Sequence, residues 1–327
     1  MELYLNTYGT YLYKSGEIFI IKIDDERHKV SPKRVSSIII SNAATISTDA
    51  IQLALEYNID ILFLDKYGDP YGRIWFPKLG STTLIRRKLL EVYTNDNGLD
   101  FVKEWTCRKI QNQIDFITLL LTKRPNIEHD FDNELQKMAE YKEIINNMKG
   151  SVSEHNNSIM GYEGNTSKNY YKIISELLPD KYQFFGRSSR PAKDPFNAFL
   201  NYGYGILYGK VERALVIAGL DPYIGLLHTD NYNKKSLVFD FIEPYRILID
   251  KTVFYLFSRR RVQDNHWDSI KDGVTLNADG KKFFVPEVME TFDKVIRYKN
   301  SNMKTISQIQ ADAHNFANIL IGKNKES

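Results

Sequence analysis

Two periodicities divide this chain. Over residues 1–77, apolar residues alternate with more polar neighbours. Leu3 and Leu5 are followed by Tyr11 and Tyr13, and a Lys14–Glu17 turn precedes Ile18-Phe-Ile-Ile-Lys-Ile. A period of two predicts β-strands, and Ser37-Ile-Ile-Ile, Asp60-Ile-Leu-Phe-Leu and Arg73-Ile-Trp-Phe extend the series. Ser47-Thr-Asp-Ala-Ile-Gln-Leu-Ala-Leu-Glu interrupts it with a helical pattern capped by Ser47 or Thr48. Lys66 to Gly72 reads as a turn. The segment holds no convergent acid, base or nucleophile, so its predicted job is structural.

From about Ser81 the period becomes 3.6. Leu84–Leu90, Phe101–Leu121 and Glu134–Met148 read as helices, and a polar stretch at Ser151–Ser158 leads to a helix beginning just after Glu163. A long apolar helix, Phe196–Ala218, closes at Gly219. Another runs from Leu237 to Phe257, with Pro244 marking its first turn or a kink. Asn265–Lys282 reads as a polar loop with a candidate hairpin at Asn277-Ala-Asp-Gly, Phe283 onward as amphipathic helix, and Gly322–Ser327 as a disordered tail. The fold class expected is α+β in two domains. A β-rich domain over 1–80 precedes an all-α domain over 81–327 that carries the chemistry.

Composition narrows the setting. Of 327 residues 43% are hydrophobic, enough for a substantial core, yet no apolar run approaches the roughly 18 residues of a membrane span. Met1-Glu-Leu-Tyr-Leu-Asn lacks a secretion signal, and Cys107 is the only cysteine, which excludes an internal disulfide. A cytoplasmic, membrane-free protein is expected. The net charge of +3 announces no partner, but the cations cluster. Arg187, Arg190 and Lys193 form one candidate DNA-binding group, Arg259, Arg260 and Arg261 another. Each cluster also reads as a solvated helix face.

The helical region contains four residues that suit a divalent cation: Glu163, His228, Asp240 and Glu243. Asp240 and Glu243 are three apart, which places them on one face of a helix. Carboxylates with one imidazole suit Mn²⁺ or Mg²⁺, and such a site beside basic sequence points to phosphodiesters. Plainer explanations stand beside this one. Glu163 could complement a helix N-terminus, Asp240, Glu243, Arg246 and Asp250 could form a polar stripe with Asp250 pairing to Arg246, and His228 could be a satisfied histidine.

Three stretches carry a resemblance. Gly161-Tyr-Glu-Gly-Asn-Thr-Ser-Lys-Asn-Tyr-Tyr, Arg190-Pro-Ala-Lys-Asp-Pro-Phe-Asn-Ala…Tyr-Gly, and Gly225-Leu-Leu-His-Thr-Asp with Ser236-Leu-Val-Phe-Asp-Phe-Ile-Glu-Pro-Tyr-Arg resemble the ordered motifs of the CRISPR adaptation integrase family. Ser37-Ile-Ile-Ile and Ile61-Leu-Phe-Leu-Asp-Lys-Tyr-Gly extend the likeness into the β-rich part. The resemblance implies Glu163, His228 and Glu243 as metal ligands for Mg²⁺ or Mn²⁺. It implies Asp240 as a fourth acid bound directly or through water, and Tyr208 as a tyrosine near the active centre. Arg190, Asp194 and Asn197 match signature positions.

By the same resemblance, the chain is a metal-dependent DNA endonuclease and integrase that inserts short double-stranded DNA into a CRISPR array. A 3′-OH of the captured DNA attacks a phosphate at the repeat edge, a transesterification. The implied assembly is a homodimer formed through residues 1–77. Two such dimers flank a dimer of a small ferredoxin-like subunit, giving a heterohexamer on one prespacer. The alternatives are a metal-dependent nuclease without an integration role and an inactive DNA-binding scaffold.

Overall fold

The structure, a computed structural model, describes residues 1–57, 59–65, 70–74, 82–93, 97–124, 130–228, 234–299 and 301–323, except for the side chains of Pro70 and Thr82. Residues 66–69 of the turn expected at Lys66–Gly72, the Trp75-Phe76 end of the fourth strand candidate and the tail from Asn324 lie outside them, whereas Pro70, Tyr71 and Gly72 of that expected turn belong to a strand that begins at Pro70 rather than at Arg73. The chain divides into two compact units, Met1–Lys78 and Leu79–Ser327.

The first unit contains β1 (Glu2–Leu5), β2 (Thr10–Ser15), β3 (Ile18–Ile23), β4 (Glu26–Val30), β5 (Ser37–Ile40), β6 (Ala44–Ile46), α1 (Thr48–Glu56), β7 (Asp60–Leu64) and β8 (Pro70–Ile74). They build two four-stranded sheets, ordered β1-β5-β7-β8 and β4-β3-β2-β6. In the first, β1, β5 and β7 run parallel and set Leu3 beside Ile38 and Ile38 beside Ile61. All four residues of β5 are buried, as a central parallel strand requires. Ser47 caps α1, its hydroxyl accepting the Ala50 N–H at 3.2 Å, and Ala50, Leu53 and Ala54 close the core. Apolar alternation misses β4 because its residues are Glu26-Arg-His-Lys-Val. Four of the five are exposed, the charged composition of a protected sheet edge.

The second unit is helical: α2 (Thr82–Tyr93), α3 (Asn97–Thr122), α4 (Asp132–Asn146), α5 (Val152–Glu176), α6 (Pro195–Ile217), α7 (Ser236–Phe241), α8 (Arg246–Ser258), α9 (Ala278–Asp293) and α10 (Thr305–Leu320). Two hairpins add to the helices. β9 (Trp267–Ile270) pairs with β10 (Gly273–Leu276), and β11 (Val295–Tyr298) pairs with β12 (Ser301–Lys304). The first hairpin occupies the stretch expected to be loop and turns at Lys271-Asp272. Asn277, read as a turn residue, instead caps α9 through a 3.0 Å bond from the Gly280 N–H.

Two helix boundaries matter for the site. The polar Ser151–Ser158 stretch is the start of α5, where the Glu154 carboxylate accepts the Ser151 N–H at 3.0 Å. Glu163 therefore sits in mid-helix, not at a helix start. The helix expected from Leu237 to Phe257 is broken, because Pro244 lacks an N–H and its ring crowds the carbonyl four residues back. A 3₁₀ turn at Glu243–Tyr245 separates α7 from α8.

The core gathers around α6, which is buried on most sides. A Cβ on Gly203 would lie 2.5 Å from Ile249 Cγ2, so only glycine lets α8 come this close. Phe257 then meets Phe196 and Phe199 edge-on, with ring centroids 5.3 and 5.2 Å away.

Candidate metal centre and nucleic-acid surface

Three distant segments meet at one lysine. Lys109, on α3, is buried, and its ammonium pairs with Glu163 Oε1 from α5 and lies 2.5 Å from Glu243 Oε2 of the 3₁₀ turn. Glu163 Oε1 also accepts Ser167 Oγ at 2.8 Å, and Glu243 Oε1 accepts Arg246 Nε at 2.9 Å. Burial alone would push the Glu243 carboxyl up, but the charges of Arg246 and Lys109 override it and hold it at about 2. Burial likewise opposes the Lys109 ammonium, and Glu243 and Glu163 hold it above its ordinary range. The turn itself is fixed from both sides. Asn112 Nδ2 donates to Pro244 O at 2.8 Å, and Tyr245 Oη donates to Asp312 Oδ2 at 2.5 Å.

His228 is positioned by a different device. Asp240, with a side chain only 1% exposed, accepts the backbone N–H groups of Leu226 (2.6 Å), Leu227 (3.1 Å) and His228 (3.1 Å). His228 Nδ1 lies 2.6 Å from Asp240 Oδ1. An acceptor already taking backbone N–H groups fixes Nδ1 as the protonated nitrogen and leaves Nε2 available as a ligand. Burial opposes the imidazolium, yet the bond to Asp240 raises the His228 pKa overall. Gly225 permits the tight loop, since a Cβ there would lie 2.5 Å from both His228 O and Ser236 Cβ. From α5, Asn156 Nδ2 ties the loop through Leu227 O at 2.8 Å.

Asp240 and Glu243 therefore do not share one helical face. Asp240 serves the His228 loop with both oxygens, while Glu243 turns to Lys109 and Arg246. Asp250 does not pair with Arg246; it accepts a hydrogen bond from Tyr204. Tyr208 is half-buried, packs edge-on against Phe239 at 4.7 Å, and its hydroxyl has no hydrogen-bond partner among the described residues. Burial raises its phenol, with Arg246, Glu243 and Asp240 all close enough to act on it. Phe239 also neighbours the His228 ring, at 6.0 Å.

Among the described residues, no three His, Cys, Asp or Glu side chains form a closed metal-holding group. Glu163 and Glu243 converge on the Lys109 cation, and His228 stands close enough to Glu243 for their charges to act on each other. The donor set nonetheless fits a divalent ion. Two carboxylates already share a cation, Glu243 Oε2 is buried without hydrogen-bond geometry, and the His228 loop leaves Nε2 free.

The basic residues separate into two places. Arg187 donates to Asn197 and Asn201 and lies 5.5 Å from the ring centres of Tyr171 and Tyr204. Arg246 is 5.0 Å from the same Tyr204 ring, so Arg187 stands near the candidate centre. Arg190 is exposed, and Lys193 Nζ donates to Asp272 O at 2.8 Å. Asp194 caps α6 through Asn197 N at 2.8 Å, which accounts for both signature residues locally. Arg259, Arg260 and Arg261 follow the far end of α8, whose 13 residues put them about 20 Å from Arg246. Arg261 is already held by Glu287 through two bonds, 2.9 and 2.7 Å.

Residues 3–290 match the family described as CRISPR associated protein Cas1. The chain belongs to that family. It is similar to the CRISPR-associated endonuclease Cas1 1 of Archaeoglobus fulgidus, at 31% identity over 338 residues covering 99% of this chain and 98% of the relative. A CAS1 protein from Thermotoga maritima shares the fold with a TM-score of 0.82 and 25% identity, covering 99% and 98% of the two chains. A casposase bound to integration product superposes with a TM-score of 0.84 at 23% identity, covering 100% of this chain and 92% of that one. The N-terminal β-rich part and the helical part thus both belong to a Cas1 fold.

Lys109 is the residue of this Cas1-family site that motif reading overlooks. Its signal was present, because Val102, Trp105, Lys109, Ile110, Gln113, Phe116, Ile117 and Leu120 form the buried stripe of α3. A lysine within such a stripe requires a counter-charge from elsewhere in the fold.

Proposed function

We propose that this chain is a metal-dependent DNA endonuclease and integrase of CRISPR adaptation. It joins short double-stranded DNA to the array by transesterification: a substrate 3′-OH forms a new P–O bond at a repeat-edge phosphate as that phosphate's bond to the array strand's own 3′-oxygen breaks and the 3′-oxygen leaves with a proton. The observation that carries the reading is the convergence of Glu163 and Glu243 on one cationic position beside a histidine that Asp240 locks in place. Family membership and an endonuclease relative at 31% identity support it.

Glu163, Glu243 and His228 Nε2 hold Mn²⁺ or Mg²⁺ in this reading, and the bound ion supplies Lewis-acid polarisation of the scissile phosphate. Asp240 keeps the imidazole in the ligand tautomer without binding the ion. Arg246, charged and pinned by Glu243, offers its remaining N–H groups to a phosphate oxygen. Tyr208, kept protonated by burial, donates a hydrogen bond to the same group. No side chain acts as nucleophile, because the DNA brings its own hydroxyl. With water attacking instead, the site cuts.

The working assembly is a homodimer joined through the β-rich unit, acting on prespacer and CRISPR repeat DNA with a small ferredoxin-like subunit in a heterohexamer. Among the described residues no helix is long and apolar enough to cross a membrane, and the proposed location is the cytoplasm. Labelled DNA with 3′-OH ends, incubated with a repeat-bearing plasmid, Mn²⁺ and the small subunit, tests the reading. Strand joining supports it, cutting without joining reduces it to a nuclease, and a mobility shift alone leaves a scaffold.

A further inference from the structure

Asp312 is a carboxylate set into an apolar helix face. It follows Ile309 by three residues and precedes Phe316 by four, both buried on α10, and its side chain is only 14% exposed. A carboxylate so placed is costly unless its oxygens find donors. It finds them on three other elements. Oδ2 accepts Tyr245 Oη of the 3₁₀ turn at 2.5 Å and Arg108 Nη1 of α3 at 3.3 Å. Oδ1 accepts Tyr298 Oη of β11. The Arg108 guanidinium also lies 5.3 Å from the centre of the Tyr245 ring.

This cluster adjoins the candidate ligands through two elements. Arg108 and Lys109 are successive residues of α3, about 100° apart around the helix. The first reaches Asp312, and the second reaches Glu163 and Glu243. Tyr245 is likewise the last residue of the turn that Glu243 begins. Three residues complete one turn of 3₁₀ helix, so anchoring Tyr245 at one end sets the rotation at which Glu243 leaves the other. Phe241 and Tyr245 also pack together, with ring centroids 5.8 Å apart. Apolar contact of that kind has no direction, whereas the hydroxyl bond to Asp312 has one. The hairpin is fastened to the same helix. Thr305 N and Oγ1, at the start of α10, both donate to Lys294 O, at 2.9 and 3.0 Å.

We propose that Asp312 is a positioning residue of the candidate metal centre: through Tyr245 it fixes the turn that presents Glu243, and Tyr298 holds it in the rotamer that does so. This role rests on the metal reading above and adds to it a residue that touches neither ion nor substrate. A divalent ion accepts carboxylate oxygens only within a narrow range of distance and direction. A Glu243 turn already held in place binds the ion without first being ordered, and a released one carries that cost into the affinity. The arrangement also makes the β11–β12 hairpin part of the support of the centre, although it supplies no ligand.

The test measures Mn²⁺ binding by calorimetry in the full chain, beside hydrogen exchange of the Tyr245 amide in chelator. Asp312→Ala should weaken Mn²⁺ binding by roughly tenfold or more. It should also speed exchange of the Tyr245 N–H, which donates to Ile242 O at 2.9 Å. Tyr245→Phe keeps the ring and removes only the hydroxyl, and it should reproduce most of that loss. The double variant should bind no more weakly than Asp312→Ala alone, since the carboxylate acts through the tyrosine. Tyr298→Phe should give a smaller loss in the same direction. Thr252→Val removes a hydroxyl bonded to Thr291 Oγ1 at 2.8 Å, between α8 and α9, and should lower stability while leaving Mn²⁺ affinity unchanged. If Asp312→Ala does not fold, the same coupling is read between Tyr245→Phe and Tyr298→Phe, whose losses should again fail to add. Additive losses, or an equal loss in Thr252→Val, would overturn the positioning role. A wild type that binds no Mn²⁺ would bring down the metal reading and this role with it. Wild-type binding that Tyr245→Phe matches would remove this role alone.

Discussion

Asp240 and Glu243 lie three residues apart, and the fold gives them opposite tasks. Asp240 is saturated by its own protein: three backbone N–H groups and one imidazole take up its oxygens. Glu243 is held by two side-chain cations, Arg246 and Lys109, one of which also holds Glu163. The first carboxylate builds a loop, and the second balances two cations. Pro244 creates the difference, because the break after α7 turns Glu243 away from the face Asp240 occupies. Acids that look equivalent in a motif are separated by where the backbone stops being helical.

Glu243→Gln should have the largest effect. It strips a counter-charge from Lys109 and Arg246 together, so the helical unit should lose about 3–5 kcal/mol of stability. DNA joining should fall by more than about a hundredfold, measured by denaturant melts beside the gel assay. Asp240→Asn should come next, through a different route. An amide nitrogen facing backbone N–H groups leaves donors unpaired, costing about 1–3 kcal/mol and weakening Mn²⁺ binding by about 10–100-fold in calorimetry. If Asp240→Asn bound Mn²⁺ normally, the division of labour between the two acids would be wrong.

Lys109→Met sharpens the comparison in the other direction. Without the ammonium, Glu163 and Glu243 face each other with less positive charge, so the variant in chelator should melt below the wild type. Added Mn²⁺ should then raise its melting temperature more than it raises the wild type's, because the one cation shared by both acids no longer competes. Equal melting in chelator would show that Lys109 is incidental.

Much of the fold is written in local pattern: the Ser47 cap, the α3 stripe and the Asp194 start of α6 all follow from residue spacing. β4 escapes that reading because charged edge strands do not alternate. The β9–β10 hairpin escapes because Trp267-Asp-Ser-Ile has only two apolar residues, and only one β10 residue, Leu276, is fully buried. The site is legible as a set of residue types but not as an arrangement. Lys109 and Glu163 are 54 residues apart, and no periodicity encodes such a meeting. The role of Asp240 depended on a loop geometry that only Gly225 and the folded backbone provide.

A smaller effect concerns pH, where Glu243 contrasts with Asp250. Glu243 sits at about 2, below its unfolded value, so its contribution to stability is full above about pH 4.5 and is lost as pH falls toward 2. Asp250 is pushed up to about 6, by burial first, against the Tyr204 hydrogen bond and the Arg187 charge. Its ionisation therefore weakens the fold as pH rises from about 4 to 6. Asp250→Asn should gain on the wild type by on the order of 2 kcal/mol across that window and hold the gain above it. Melts at intervals from pH 4 to 8 would reveal a flat difference if Asp250 were not buried against this cost.

The most direct test of the shared cation seat is anomalous diffraction from crystals soaked in Mn²⁺. One peak is expected roughly 2.2 Å from an oxygen of Glu163, an oxygen of Glu243 and His228 Nε2. Lys109 should have withdrawn from between the acids, and Asp240 should still be bonded to the His228 loop. A peak held by Asp240 instead, or Lys109 still between the two carboxylates at saturating Mn²⁺, would contradict the account.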